Sequence, residues 1–183
     1  MKQNDSFDIP NTFKRGKFSM RKQRGFSLIE LLIVVAIILI IAAIAIPNLL
    51  RARMAANESS AVAAVRTLNT AEVTYNSTYP TVGYAATLVA LGPSAAVPCA
   101  ASSTNACLID GVLASGTKSG FKYNGTAAGG PPTTTYFWAA TPVTLNQTGT
   151  RSFCAYEDAV VRVQPTGAAI AAENTCQGLS PLQ

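Results

Sequence analysis

Polarity along this chain changes three times. Between Phe26 and Ile46 only Ser27 and Glu30 interrupt the apolar residues, and Leu31 to Ile46 is an unbroken run of sixteen. As a helix the 21 residues from Phe26 rise about 1.5 Å each, enough to cross a hydrocarbon layer of ~30 Å. From Asn48 to about Thr78 the run gives way to a mixture rich in Ala, Leu, Arg and Glu, all good helix formers. There Leu50, Met54, Ala61, Val65, Leu68, Glu72 and Tyr75 recur at mostly helical spacing, which predicts an amphipathic face packed on a sheet. Arg51, Arg53, Glu58 and Arg66 then fall on surfaces facing solvent or neighbouring molecules. Pro47 removes one backbone donor and clashes with the carbonyl near Ala43, so the helix should kink or loosen there. Tyr79-Pro80 ends it. Read as one helix, Phe26 to Thr78 is 53 residues, or about 80 Å. No core of a domain this small buries such a helix. Its N-terminal half must rest in lipid or against copies of itself.

Beyond Thr81 the composition shifts to Thr, Ser, Ala, Gly and Pro. Residues 81–98 read as a connecting loop with one short helical turn at 85–90. Strand-like runs come next, at Gly120–Gly125, Thr134–Val143, Arg151–Tyr156 and Ala159–Gln164. The turn signals Gly129-Gly130-Pro131-Pro132 and Asn146–Gly149 separate them, as in an antiparallel meander. The last two runs form a hairpin through Glu157-Asp158. One long helix, a loop and a sheet of about four strands is an α+β order.

Glu30 is the anomaly of the apolar run. A carboxylate within a membrane-depth segment costs roughly 2.5–3.5 kcal/mol on insertion scales, so it needs a partner. No basic side chain stands within reach further along the same segment. The partner must come from another chain or from a group that processing creates. Charge sharpens this reading. Residues 1–25 hold seven basic residues against two acidic ones, whereas residues 26–183 hold seven of each. The formal +5 therefore lies entirely ahead of the apolar run. Such an asymmetry keeps the basic end cytoplasmic and sends the C-terminal domain outward. It also removes the argument for nucleic-acid binding that a basic chain would otherwise carry. Residues 1–19 are polar and without periodicity, and read as disordered. Met20 opens a second, compact basic leader, Met20-Arg21-Lys22-Gln23-Arg24-Gly25, so that Met1 and Met20 are alternative starts of translation. An ordinary signal peptide is the rival reading, because Ala42-Ala43-Ile44-Ala45 offers a small-x-small cleavage site. The internal Glu30 and the length of the apolar stretch stand against it.

The run Gly25-Phe26-Ser27-Leu28-Ile29-Glu30 resembles the class III signal of type IV prepilins and type II secretion pseudopilins at every position. The likeness extends through Pro47 to about Tyr79, and the C-terminal half matches the family only in general design. The resemblance implies a type IV pilin fold, with a membrane-spanning first half of the helix. It implies cleavage after Gly25 by a prepilin peptidase, methylation of the new amine at Phe26, and an assembly role for Glu30. Pro47 stands where many type IV pilins have a proline and where assembly locally unwinds the helix. On this reading residues 1–25 are a removed leader, 26–79 the long helix with 26–46 in the membrane or filament core, and 80–183 the exported domain. The expected partners are copies of the chain in a helical homopolymer, the peptidase, inner-membrane pilus or secretion assembly machinery, and membrane lipid before assembly. The location expected is the inner membrane with the C-terminal domain in the periplasm, then a surface pilus or a periplasmic pseudopilus.

Cys99, Cys107, Cys154 and Cys176 all lie beyond the apolar run, and an even count in an exported domain reads as two disulfides with three possible pairings. Cys99–Cys107 and Cys154–Cys176 are favoured because each closes a short local loop. The second resembles the C-terminal disulfide loop of many type IV pilins. A zinc site is a poor rival, since the spacings are irregular and the chain has no histidine. No catalytic constellation or cofactor motif stands out, and the commonest general base is missing. Glu157-Asp158 is a possible calcium corner, but two adjacent carboxylates without further oxygen donors read more readily as a solvated turn.

Overall fold

The computed structural model describes residues 25–94 and 98–182. The basic leader, the alternative starts at Met1 and Met20, and residues 95–97 of the connecting loop lie outside the described residues. The chain divides into two compact units, one ending at Ile41 and one running from Ala42. Helix α1 is Leu28–Thr78, and Pro47 stands inside it without ending it.

In the first unit, residues 28–41 are helical and their large side chains are exposed, from Leu28 through Ile41. In the second, α1 buries Glu58, Ala61, Ala64, Val65, Leu68, Asn69, Ala71, Glu72 and Tyr75, residues three or four apart on one face. After α1 come the short helices α2 (Leu88–Leu91) and α3 (Gly111–Ala114), capped by the side chains of Thr87 and Asp110. Next are strands β1 (Thr117–Lys118), β2 (Phe121–Ala128), β3 (Thr135–Pro142), β4 (Ser152–Tyr156) and β5 (Arg162–Gln164). Helix α4 (Glu173–Gln177) and strand β6 (Ser180–Pro181) complete the fold. The sheet runs in sequence order from β1 to β6, and every pairing is antiparallel. The result is an α+β, type IV pilin-like arrangement of a long helix packed on a meander. Its six strands exceed the four expected because β1 and β6 are two-residue edge pairings too short to leave a pattern.

Strand β3 holds the core together. Tyr136, Trp138 and Ala140 point to the face that meets α1, where they cluster with Val65, Leu68, Tyr75, Phe121 and Phe153. Phe137 and Ala139 point to the other face and cluster with Cys154, Ile170 and Cys176. The strand is thus covered on both sides, which is why it reads as a continuous apolar run rather than an alternating one. Opposite Trp138 sits Gly125. A Cβ there would collide with the Phe137 carbonyl and the indole, so only glycine lets β2 pass so close.

Two expectations along α1 need correction. Leu50 is exposed, because burial on α1 begins only at Glu58. Glu58, assigned to an outer surface because of its charge, is only 5% exposed. It falls three residues before Ala61, on the same stripe as the apolar side chains, and helical phase outweighs residue type here. Arg51, Arg53 and Arg66 are exposed. The helical turn expected at 85–90 begins three residues later, at Leu88, where Thr87 supplies the cap.

Candidate assembly segment

Gly25, Phe26 and Ser27 precede the first turn of α1. The Leu31 amide donates to the Ser27 carbonyl at 3.2 Å, the first bond of the helix. The Ser27 amide in turn donates to Glu30 Oε2 at 2.9 Å. Ser27 is therefore the residue that caps α1, and Glu30, three places on, reaches back to it as the acid of a capping box does. The expectation that Glu30 has no partner on its own segment is half right. It finds a hydrogen-bond donor there, although no charge. Four orphan amides and the positive end of the helix dipole favour a carboxylate at this place. Phe26, next to the proposed cleavage point, is 79% exposed, and Gly25 has open space around it.

Every large apolar side chain from Leu28 to Ile46 is likewise exposed. Helix α1 contains a window long and apolar enough to cross a membrane, none of it buried by the rest of the chain. An apolar surface of this extent is far larger than a monomer in water tolerates.

Deeper along α1, two carboxylates are placed differently. Glu58 accepts from the Thr150 amide (2.7 Å) and hydroxyl (2.9 Å), from the Arg151 amide (3.1 Å), and from the Arg151 guanidinium (2.7 and 2.9 Å). Burial alone would push its pKa up, but these donors and the Arg151 charge outweigh burial and hold it below the ordinary carboxylate value. Glu72 is fully buried and accepts from the Trp138 indole N–H and the Ala85 amide, each at 2.8 Å. Burial pushes its pKa up to about 7, against the opposing pull of the Ala85 and Trp138 hydrogen bonds. One acid thus pins α1 to the β3–β4 connection, and the other pins it to β3 and to the segment entering α2. Sequence reasoning left both without these roles. Their helical phase was the signal, since an acid at a core position needs donors.

The cysteines form two bridges. Cys99–Cys107 clips the segment ahead of α3, and Cys154–Cys176 ties β4 to α4 across the sheet face opposite α1. At the β4–β5 turn Asp158 accepts from the Arg162 guanidinium at 2.6 and 3.1 Å and from the Val160 amide at 2.9 Å. Arg162 also lies over the Tyr156 ring, 4.3 Å from its centre. The Asp158 oxygens are thus turned toward a cation already present. Among the described residues no three His, Cys, Asp or Glu side chains gather as metal ligands would. Gly25, Phe26 and Glu30 lie together at the head of α1, whereas Pro47 and the disulfides are separate features of the second unit.

A capped apolar helix that continues into an amphipathic one on an antiparallel meander defines the type IV pilin-like class. Residues 20–46 match the family model of the prokaryotic N-terminal methylation motif. The chain is 65% identical over 40 residues to the major component of the wide type IV pilus of Thermus thermophilus, covering 22% of this chain and 30% of that protein. It is 48% identical over 54 residues to the type IV major pilin of Myxococcus xanthus, covering 30% and 24% of the two chains. It is 43% identical over 65 residues to the type II secretion system core protein G of Vibrio cholerae, covering 34% and 44%. The matches therefore span less than half of each curated relative. No solved structure gives a significant match. The N-terminal segment carries the prokaryotic N-terminal methylation motif, and the proteins it is similar to are two type IV pilus components and a type II secretion core protein.

Proposed function

We propose that this chain is the structural subunit of a type IV pilus-like filament. It is held in the inner membrane by the N-terminal part of α1, cut after Gly25, methylated at Phe26, and polymerised through its apolar helix. The observation that carries this reading is the exposed apolar surface of residues 28–46, headed by the N-terminal methylation motif and one carboxylate. Its burial has to be completed by lipid first and by other copies afterwards. Cleavage creates a cationic amine at Phe26, and Glu30 of an adjacent subunit supplies the opposite charge. In an apolar filament core, removing one member of such a pair costs on the order of 3–5 kcal/mol. A lone amine therefore cannot enter cheaply, and the pair sets the stagger between neighbours. In the single subunit the Ser27 amide occupies Glu30. A neutral hydrogen bond of this kind contributes only about 1 kcal/mol net, so the charged pair displaces it.

Cleavage after Gly25 leaves 158 of the 183 residues, a size suited to a surface fibre, and the Cys154–Cys176 loop agrees with that reading. A secretion pseudopilus is the second reading, favoured by the likeness to the Vibrio cholerae core protein G. Electron microscopy of sheared surface material, with mass spectrometry of the fibres, separates the two. A surface fibre yields filaments whose N-terminal peptide begins at a methylated Phe26. If no filament is present and the chain is confined to the envelope, the surface-fibre reading is wrong.

A further inference from the structure

Where the apolar run of α1 ends, a groove of about 500 Å³ opens between the helix and the β3–β4 connection, lined by Leu50, Arg53, Asn57, Asn146, Gln147 and Thr148. We propose that this groove holds the phosphate headgroup of an anionic phospholipid of the outer leaflet while the subunit is stored in the membrane. The inference rests on the membrane-stored reading above and adds a ligand to it.

Depth is the first argument. The apolar run ends at Ile46, and Leu50 and Arg53 come four and seven residues later, about 6 and 10 Å further along the helix. The headgroup layer on each side of a bilayer is about 5–8 Å thick. Side chains on a helix lean toward its N-terminus, and a long cationic one reaches back further still. Arg53 thus brings its guanidinium down to the phosphate level, with the exposed Leu50 beside it facing the acyl boundary.

Chemistry is the second. Among the described residues the ion pairs are Lys118–Asp110, Arg151–Glu58 and Arg162–Asp158, so Arg53 has no carboxylate of its own. No acidic residue lines the groove. Its other polar groups are amides and a hydroxyl, and the Asn57 amide donates to the Thr148 carbonyl at 3.1 Å, which holds the two walls together. The planar guanidinium matches a phosphate in two parallel hydrogen bonds, and Asn146 and Gln147 add neutral donors at the rim. A phosphodiester with its negative charge fits this set, and a cation does not.

The test uses the whole processed protein in vesicles of equal parts phosphatidylglycerol and phosphatidylcholine. Flotation first reads insertion, and native mass spectrometry of the chain released from those vesicles then reads which lipid stays bound. The wild type should retain phosphatidylglycerol over phosphatidylcholine. Arg53→Ala should reduce that retention about fivefold. Arg66→Ala, on the same helix but away from the groove, should leave it unchanged. If the protein floats but shows no lipid preference, or if both variants lose it equally, the groove assignment is wrong and the membrane-stored reading stands. If Arg53→Ala keeps the lipid but yields fewer fibres, the groove is a contact between subunits and the proposal falls. A protein that does not float at all overturns both readings.

Discussion

The two ends of α1 are built for different solvents. Residues 28–46 bury nothing within their own chain, whereas residues 58–75 bury nine side chains against the sheet and its flanking helices. The second region closes its own free-energy balance inside one subunit. The first leaves its balance open, and on the proposed reading lipid or another copy closes it. Carboxylates repeat the contrast. Glu58 and Glu72 have all their strong donors within the chain, while Glu30 has one backbone amide and no charge. A substitution in the second region should therefore be felt in the single subunit, and one in the first only in the assembly.

The largest break in that contrast comes at Trp138. Trp138→Ala removes a fully buried ring and the indole donor to Glu72, and should lower unfolding stability by about 3–5 kcal/mol in denaturant titrations of the detergent-held subunit. Glu72 comes next. Its folded pKa of about 7 lies above the ordinary 4.5, so the native state holds the proton more tightly. The stability this contributes is complete below about pH 4.5 and is lost as pH rises to about 7, a change on the order of 3 kcal/mol. Glu72→Gln should flatten that slope, and a slope that survives the substitution would assign it to another group. Glu58 works in the opposite sense, since its lowered pKa adds stability above pH 4.5 that is lost on acidification. The smallest effect is expected at Leu39. Its side chain is 62% exposed, so Leu39→Ala should change unfolding of the single subunit by no more than about 0.5 kcal/mol while reducing fibre yield. A large stability loss there would erase the distinction between the two regions.

Much of this is legible in the order of residues. The apolar run, the end of α1 near Tyr79 and the four longer strands can be read from periodicity and from Gly, Pro and Asn at the turns. Strands β1 and β6 cannot, because two residues have no alternation to read and depend on their neighbours for pairing. Glu58 is misplaced when charge is weighed above helical phase, and the donors that make its burial tolerable lie 92 and 93 residues away. Leu50 is misplaced for the complementary reason. The stripe is right, but the sheet does not reach that far along the helix. At the head of α1 the N-terminal methylation motif is readable from type and order alone. The capping bond from Ser27 to Glu30 needs only the three-residue spacing, and its donor is a neutral amide rather than a charge.

That bond also makes the decisive experiment sharper. Glu30→Gln keeps a carbonyl oxygen to receive the Ser27 amide but removes the negative charge, whereas Glu30→Ala removes both. If the charge drives assembly, each variant should be cut after Gly25 as the wild type is, judged by migration on a gel. Sheared fibres should fall at least tenfold in both. Abundant normal fibres from Glu30→Gln would contradict the pairing of Glu30 with the Phe26 amine and leave the carboxylate as no more than a helix cap.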